Sequence, residues 1–298
     1  FARPKMKRPL KGTLETESSK VKRYLVRANW FARARTEYAN YERATELTDS
    51  SPFEEGQIDH PYDILPWWNV WWADSPDIVD LPDGTAMPEI PDRSLTAPLF
   101  GLSHLGNEDS HGDDPILRRN VAGLDHKSAF EVTYNTTPPA VNGSANIALD
   151  PELSLPYTMV IVAKLPLTDA VGVMVNGVEP GNVPGFGVWQ NHYTVVNFGD
   201  IWGPRVDLSE GPDGQFHLFV VEWTSVGVTV WIDGVESASE AFATHDMNTF
   251  GVFLLALAST DPMYWAMAGA IPSTISPSEH RDLNLWVRNN YGIATTDP

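Results

Sequence analysis

The stretch FHLFVVEWTSVGVTVWIDGVE, residues 216–236, decides the fold. Phe216, Leu218, Val220 and Glu222 alternate with His217, Phe219, Val221 and Trp223. That period of two is the signature of a β-strand. Both faces are largely apolar, as expected for an inner strand of a two-sheet sandwich. After Ser225-Val226 a second alternation follows: Val228, Val230 and Ile232 against Thr229, Trp231 and Asp233. Asp233-Gly234 then supplies a turn needing positive φ. The stretch therefore predicts a hairpin across a sandwich core, with Trp223 and Trp231 close enough to pack together.

The same texture extends in both directions. Short apolar runs broken by Pro, Gly, Asn and Asp predict strands over 70–73, 129–134, 157–164, 171–175, 186–190, 194–198, 251–258 and 264–270. Together with the hairpin this makes an all-β chain, a sandwich or barrel. Near the end, Ser276-Pro277-Ser278-Glu279 reads as a cap, a proline at the first helical position and an acid in the first turn. Leu283, Trp286 and Val287 then share one face, and Tyr291-Gly292 stops a short C-terminal helix.

Before residue 66 the pattern differs. Residues 1–14 carry two prolines and five basic residues, and read as an extended arm. The start FARPKMKRPLKG has charge but no apolar segment behind it, so it does not resemble a secretory signal. From Ser18-Ser19, positions 21, 25, 28, 31 or 32, 38 and 41 predict an amphipathic helix. Residues 51–65 are polar and turn-rich. The expected organisation is an arm and helix over 1–50, a linker over 51–65 and a β domain over 66–298.

Charge divides at the same place. Residues 1–50 hold 12 Lys/Arg and 6 Asp/Glu, a net of +6; the other 248 residues hold 8 and 33, a net of −25. Lys127 and Lys164 are the only lysines in the acidic part. Arg3, Lys5, Lys7, Arg8, Lys11, Lys22, Arg23 and Arg27 therefore stand out as an assembly anchor for an acidic partner. Phosphate binding uses such residues too, but the acidic body would repel a nucleic acid. With 42% hydrophobic residues and 11 Trp, the chain has the means to bury a large core. It has no cysteine, which excludes disulfides and thiolate chemistry. No apolar run reaches the roughly 18 residues of a spanning helix.

The hairpin residues Phe216-His217, Glu222-Trp223-Thr224, Val228 and Trp231-Ile232-Asp233-Gly234 resemble the hairpin of the concanavalin A-like lectin/glucanase superfamily. Pro156-Tyr157-Thr158 with its apolar continuation resembles a strand of the same fold. So does the ending Gly269-Ala270-Ile271, Ser276 to Glu279, and Tyr291-Gly292. Upstream, Trp71-Trp72-Ala73-Asp74, Leu81-Pro82-Asp83-Gly84 and Ile90-Pro91-Asp92-Arg93-Ser94 resemble the opening of laminin-G-like domains in phage and bacterial surface proteins. The resemblance runs over roughly residues 65–293. It implies a jelly roll of two antiparallel sheets.

The glucanase branch of that superfamily carries Glu-x-Asp-x-x-Glu on one strand, because a retaining glycosidase needs two carboxylates about 5 Å apart. Residues 160–216 include Glu179, Asp200, Asp207, Glu210 and Asp213, none of them at that spacing. Serine-hydrolase, zinc-protease and phosphate-loop motifs are missing as well. The expectation is a protein that is not an enzyme.

Two stretches offer binding chemistry. Trp189-Gln190-Asn191-His192-Tyr193, followed by Asp200-Ile201-Trp202, combines aromatic faces with planar polar groups, as sugar recognition requires. Trp189, Asn191, Tyr193, Asp200 and Trp202 are the candidate carbohydrate-binding residues, with a core role for Trp189 and Trp202 as the alternative. Asn107 to Asp114 is dense in oxygen ligands; Asp109, Asp113 and Asp114 are candidate Ca2+ ligands, although the spacing differs from an EF-hand and a solvated acidic loop is the alternative. His104, His111 and His126 match no standard transition-metal spacing. In Trp67-Trp68-Asn69-Val70-Trp71-Trp72, one regular strand would set Trp67 and Trp71 opposite Trp68 and Trp72.

Combined with the resemblance, the charge pattern predicts a non-enzymatic virion structural protein, associated with capsid or tail. Residues 1–50 would bind other virion proteins. The jelly roll would face outward as a lattice-bound or oligomeric unit, stabilising the shell or adhering to a host-surface glycan. A secreted or cell-surface carbohydrate-binding module and a glycan hydrolase with an unrecognised site are the alternatives.

Overall fold

A computed structural model of the chain describes residues 61, 64–94, 104–106, 114–135, 141–142, 144–167, 171–175, 183–189, 191–198, 205–241, 246–255 and 261–296. The arm and helix expected over 1–50 lie outside the described residues. The described part belongs to one unit, Ile58–Pro298.

The strands run in chain order as follows. First come β1 (Asn69–Trp72), β2 (Glu89–Pro91), β3 (His104–Gly106), β4 (Ile116–Arg118), β5 (Ala129–Val132), β6 (Tyr134–Asn135) and β7 (Val141–Asn142). Then come β8 (Ser144–Leu153), β9 (Tyr157–Lys164), β10 (Val171–Val175), β11 (Val183–Trp189), β12 (His192–Phe198) and β13 (Arg205–Asp207). Last are β14 (His217–Thr224), β15 (Gly227–Ile232), β16 (Val235–Glu240), β17 (Met247–Leu255), β18 (Met263–Ile271) and helix α1 (Pro277–Tyr291).

The first sheet has the order β16-β15-β14-β9-β18-β5-β4, with β1 also pairing β18. The second has the order β13-β12-β11-β10-β17-β8-β3-β2, and β6-β7 form a small ladder. Every ladder is antiparallel. The chain leaves the first sheet after β9, runs through β10 to β13 in the second, and returns at β14. It crosses again into β17 and back into β18. This is the two-sheet antiparallel jelly roll that the sequence predicted.

The main core lies between the sheets. Trp71, Phe130, Tyr157, Met159, Ile161, Phe219, Val221, Trp223 and Trp265 contribute from the first sheet. Phe186, Val188, Tyr193, Val195 and Val252 meet them from the second. Tyr157 stacks on Trp223 at 5.4 Å, and Phe186 lies 5.0 Å from Phe219. A second cluster explains why β9 and β14 are apolar on both faces. Val160, Val162, Leu218 and Val220 point away from the sandwich core and are covered by Leu283, Trp286, Val287 and Tyr291 of α1. A sandwich alone would have left that face wet.

This third layer corrects the expected meeting of Trp223 and Trp231. The two-residue turn pairs Trp223 with Val228 and Val220 with Trp231. Alternation then sends Trp223 into the sandwich core and Trp231 to the opposite face, where it meets His280 of α1 at 4.6 Å. The tryptophan run is corrected too. The regular strand begins only at Asn69, so Trp68 goes with Trp71 towards the main core and Trp67 with Trp72 towards α1. Trp72 meets Trp286 edge-on at 6.2 Å.

Helix α1 starts and stops as its residues dictate. Ser276 Oγ accepts the Glu279 N–H, and Glu279 Oε2 accepts the Ser276 N–H, a reciprocal capping box. Gly292 ends the helix at φ 68°, in the left-handed region. Residues within 71–94 that carry the laminin-G-like resemblance are tied down by hydrogen bonds. Asp92 accepts hydrogen bonds from Asn69 Nδ2, Val70 N–H and both the N–H and hydroxyl of Ser94. Arg119 donates to the carbonyls of Ala73, Ile78, Val79 and Leu81 and to Ser128 Oγ, pinning the 73–83 loop to the sheet.

Candidate functional site

Strands β11 and β12 form a hairpin with Trp189 opposite His192 and only residues 190 and 191 between them. So short a loop needs positive φ. Asn191 supplies it at 63°, since asparagine tolerates the left-handed region better than most residues. The turn sits on the second sheet, at the opposite side of the core from α1. Phe186, Val188, Tyr193 and Val195 face the core. Strand alternation therefore assigns positions 187, 189, 192 and 194 to the outer face.

The outer face near this turn is polar. Asn191, His192, Asp207 and Glu210 are exposed. Thr194 Oγ1 donates to Asp207 Oδ1 at 3.0 Å, across the register pair that joins β12 to β13. His192 Nδ1–H donates to the Leu208 carbonyl at 3.1 Å. Residues 208–211 brace the turn from the side. Tyr193 N–H donates to Glu210 O at 3.0 Å, and Leu208 N–H to Tyr193 O at 2.8 Å. Gly211 lies so close that a Cβ there would stand 2.0 Å from the Asn191 carbonyl oxygen. The brace and the turn are fitted to one another.

Of the five candidate carbohydrate residues, Asn191 is exposed at the tip and Trp189 occupies the outer-face end of β11. Tyr193 departs from the expected platform. Its ring is buried between Phe186 and Phe219, 6.2 and 5.1 Å away, because its position in β12 faces inward. Burial, with Asp213, Asp233 and Glu210 nearby, pushes its phenol well above the usual value. Asp200 and Trp202 lie outside the described residues, as do Asp109 and Asp113. Asp114 is half-buried just before β4. Among the described residues no group of three or more His, Asp or Glu side chains could hold a metal ion.

A charged cluster that the sequence reading did not single out lies beside the brace. His217, at the start of β14, is held between two carboxylates. Its Nδ1–H donates to Asp233 Oδ2 at 2.6 Å and its Nε2–H to Asp213 Oδ1 at 3.0 Å. Burial alone would lower the imidazole pKa, but the hydrogen bonds and charges of Asp233 and Asp213 outweigh it and raise it to about 9. Burial likewise works upward on Asp213, and its His217 and Gln215 donors overcome this and hold it below the usual carboxylate range. Two Asp-Gly turns, 213–214 and 233–234, flank the histidine in sequence, but nothing in that spacing shows that both aspartates reach it.

The carboxylates bear on catalysis. A general acid needs a raised pKa and an open proton. Asp213 is shifted the wrong way. Burial works upward on Glu131, but bonds from Arg118 at 2.9 and 3.0 Å and from the Tyr264 hydroxyl at 2.7 Å hold it low. Burial does raise Asp92, yet its oxygens are occupied by four donors.

No protein-family model matches the chain, and no curated protein matches it. Solved structures give distant likenesses. One is a botulinum neurotoxin type C structure, reported for cell entry dependent on interaction with two ganglioside molecules. It is 7% identical, with a TM-score of 0.45, and the overlay covers 70% of this chain and 51% of that one. Another is the binding domain of botulinum neurotoxin DC in complex with rat synaptotagmin II, at 7% identity and a TM-score of 0.44, covering 62% and 49% of the two chains. A Bacteroides ovatus mixed-linkage glucan GH16 protein, in complex with a product, is 11% identical with a TM-score of 0.38, covering 56% and 88%. This chain spans about half the length of the neurotoxin chains it overlays. The concanavalin-like jelly roll itself rests on the strand order described above. No helix among the described residues is long and apolar enough to cross a membrane.

Proposed function

We propose that the jelly roll is a non-enzymatic glycan-binding domain of a virion structural protein, and that the β11–β12 turn is its recognition site. The observation that carries this reading is the turn itself. It offers an exposed Asn191 amide, the exposed side chains of His192, Asp207 and Glu210, and a tryptophan position on the outer face. Sugars are held by an aromatic face plus planar hydrogen-bonding groups, and a rigid turn holds these at low entropic cost. Asp200 and Trp202 belong to the same proposed site by sequence proximity. Asp109, Asp113 and Asp114 remain proposed ligands of a Ca2+ ion.

The virion assignment is supported by charge. The +6 segment and the −25 remainder suit different surroundings, an acidic assembly partner and open solvent. The experiment has two arms. A glycan array probed with the full chain is expected to give binding that Trp189→Ala abolishes while the fold is kept. Deleting residues 1–50 is expected to leave that binding intact and to stop incorporation into purified particles. Reducing-sugar release from a bound glycan would instead make the protein a hydrolase.

A further inference from the structure

We infer that His217 is a positioning residue for the β11–β12 turn: its imidazolium bolts the bracing segment 208–213 to the first sheet and thereby sets the geometry of Asn191. The consequence for ligand binding rests on the glycan reading above; the mechanical claim does not.

The contacts form a continuous path. Asp233 is fixed at both ends. Its Oδ1 accepts the Leu218 N–H at 2.8 Å, and its carbonyl accepts Thr296 N–H at 2.8 Å from the segment that follows α1. Gly234 beside it is closed in by Thr296 O, 1.9 Å from where a Cβ would stand. The other carboxylate oxygen of Asp233 holds His217, and His217 holds Asp213. From Asp213 the chain leads back within three residues to Gly211 and Glu210, which touch Asn191 and Tyr193 directly. The bracing segment has no strand of its own, and Asp213 is half-exposed. A two-sided, charge-assisted bond is the kind of restraint such a segment needs.

The groups facing His217 are Asp213 and Asp233, the Tyr193 ring edge-on at 6.3 Å and the Phe219 ring at 5.9 Å. Both carboxylates accept, so both imidazole nitrogens must carry protons. Loss of one proton to solvent would remove one of the two bonds and leave carboxylates facing an uncharged ring. The brace should therefore loosen when His217 is neutral.

Deuterium exchange of the intact protein tests this without a ligand. In His217→Gln, peptides covering residues 191–195 and 206–211 should exchange about tenfold faster after correction for intrinsic rates, while β9 and β18 remain unchanged. Asp213→Ala removes only the outer acceptor and should give the same local loosening; it decides the matter if His217→Gln does not fold. In the native protein, the imidazole titration followed by NMR and the extra exchange of Tyr193 N–H should share one midpoint. Unchanged exchange at 191–195 in a folded Asp213→Ala protein, or a Tyr193 N–H indifferent to the His217 titration, overturns the inference. Absence of glycan binding by the native protein, with the exchange changes present, would defeat the recognition reading and leave the positioning role standing.

Discussion

His217 is held between the carboxylates of Asp213 and Asp233. Its pKa is raised in the fold, so its protonated form stabilises the native state. That contribution is complete below the ordinary value of 6.5 and disappears as pH rises through about 9. Asp213 has the opposite sign: its contribution is present above its ordinary value of 3.8 and is lost as pH falls. Denaturation midpoints in urea should therefore fall between pH 6.5 and 9, and His217→Gln should flatten that slope. A wild-type midpoint that is constant across this range would count against the clamp. Gly234 makes a second prediction. With φ 83° and Thr296 O in the way, Gly234→Ala should cost at least about 1–3 kcal/mol in chemical denaturation. The histidine clamp was not legible in sequence. Its partners lie 4 and 16 residues away on different turns, and only the paired ladders bring them together.

At the level of elements, α1 is a structural layer. It covers the outward faces of β9, β14 and β18. Trp286→Ala should destabilise the protein by about 3–5 kcal/mol, as large-to-small changes in a core do. Ser276→Ala should cost about 1 kcal/mol through the lost cap. Thermal or chemical unfolding measures both. Alternation made the long strands readable: Tyr157–Lys164 and Val171–Val175 have the boundaries the sequence predicted, and the capping residues of α1 do their expected work. The short edge strands were not readable. Glu89–Pro91 and Arg205–Asp207 hold three residues each, too few for a period to show. Ser144–Leu153 was hidden by Pro151, which the ladder tolerates because β8 bulges there against β17. Side-chain direction failed within the tryptophan run, where the regular strand begins only at Asn69, and the expected meeting of Trp223 with Trp231 failed because the two-residue turn sets them on opposite faces. Strand parity also turns Tyr193 into the core and away from the expected sugar platform.

Across the β domain, the supporting layers and the turn proposed for recognition lie on different sheets. The central strands of the first sheet, β9, β14 and β18, are buried on both sides, by the second sheet and by α1. The second sheet bears the polar turn at which recognition is proposed. The division of charge between residues 1–50 and the rest is the basis of the attachment role proposed for that segment. Such attachment should weaken with added salt, and particle co-sedimentation at increasing ionic strength measures it. The most direct measurement of the central claim is binding of the full chain and of its Trp189→Ala variant to one glycan array. The account predicts a defined set of sugars bound by the native protein and lost in the variant, with far-ultraviolet circular dichroism unchanged and no sugar cleaved. Sugar binding that persists unaltered in Trp189→Ala, or a native protein that binds no sugar, would contradict it.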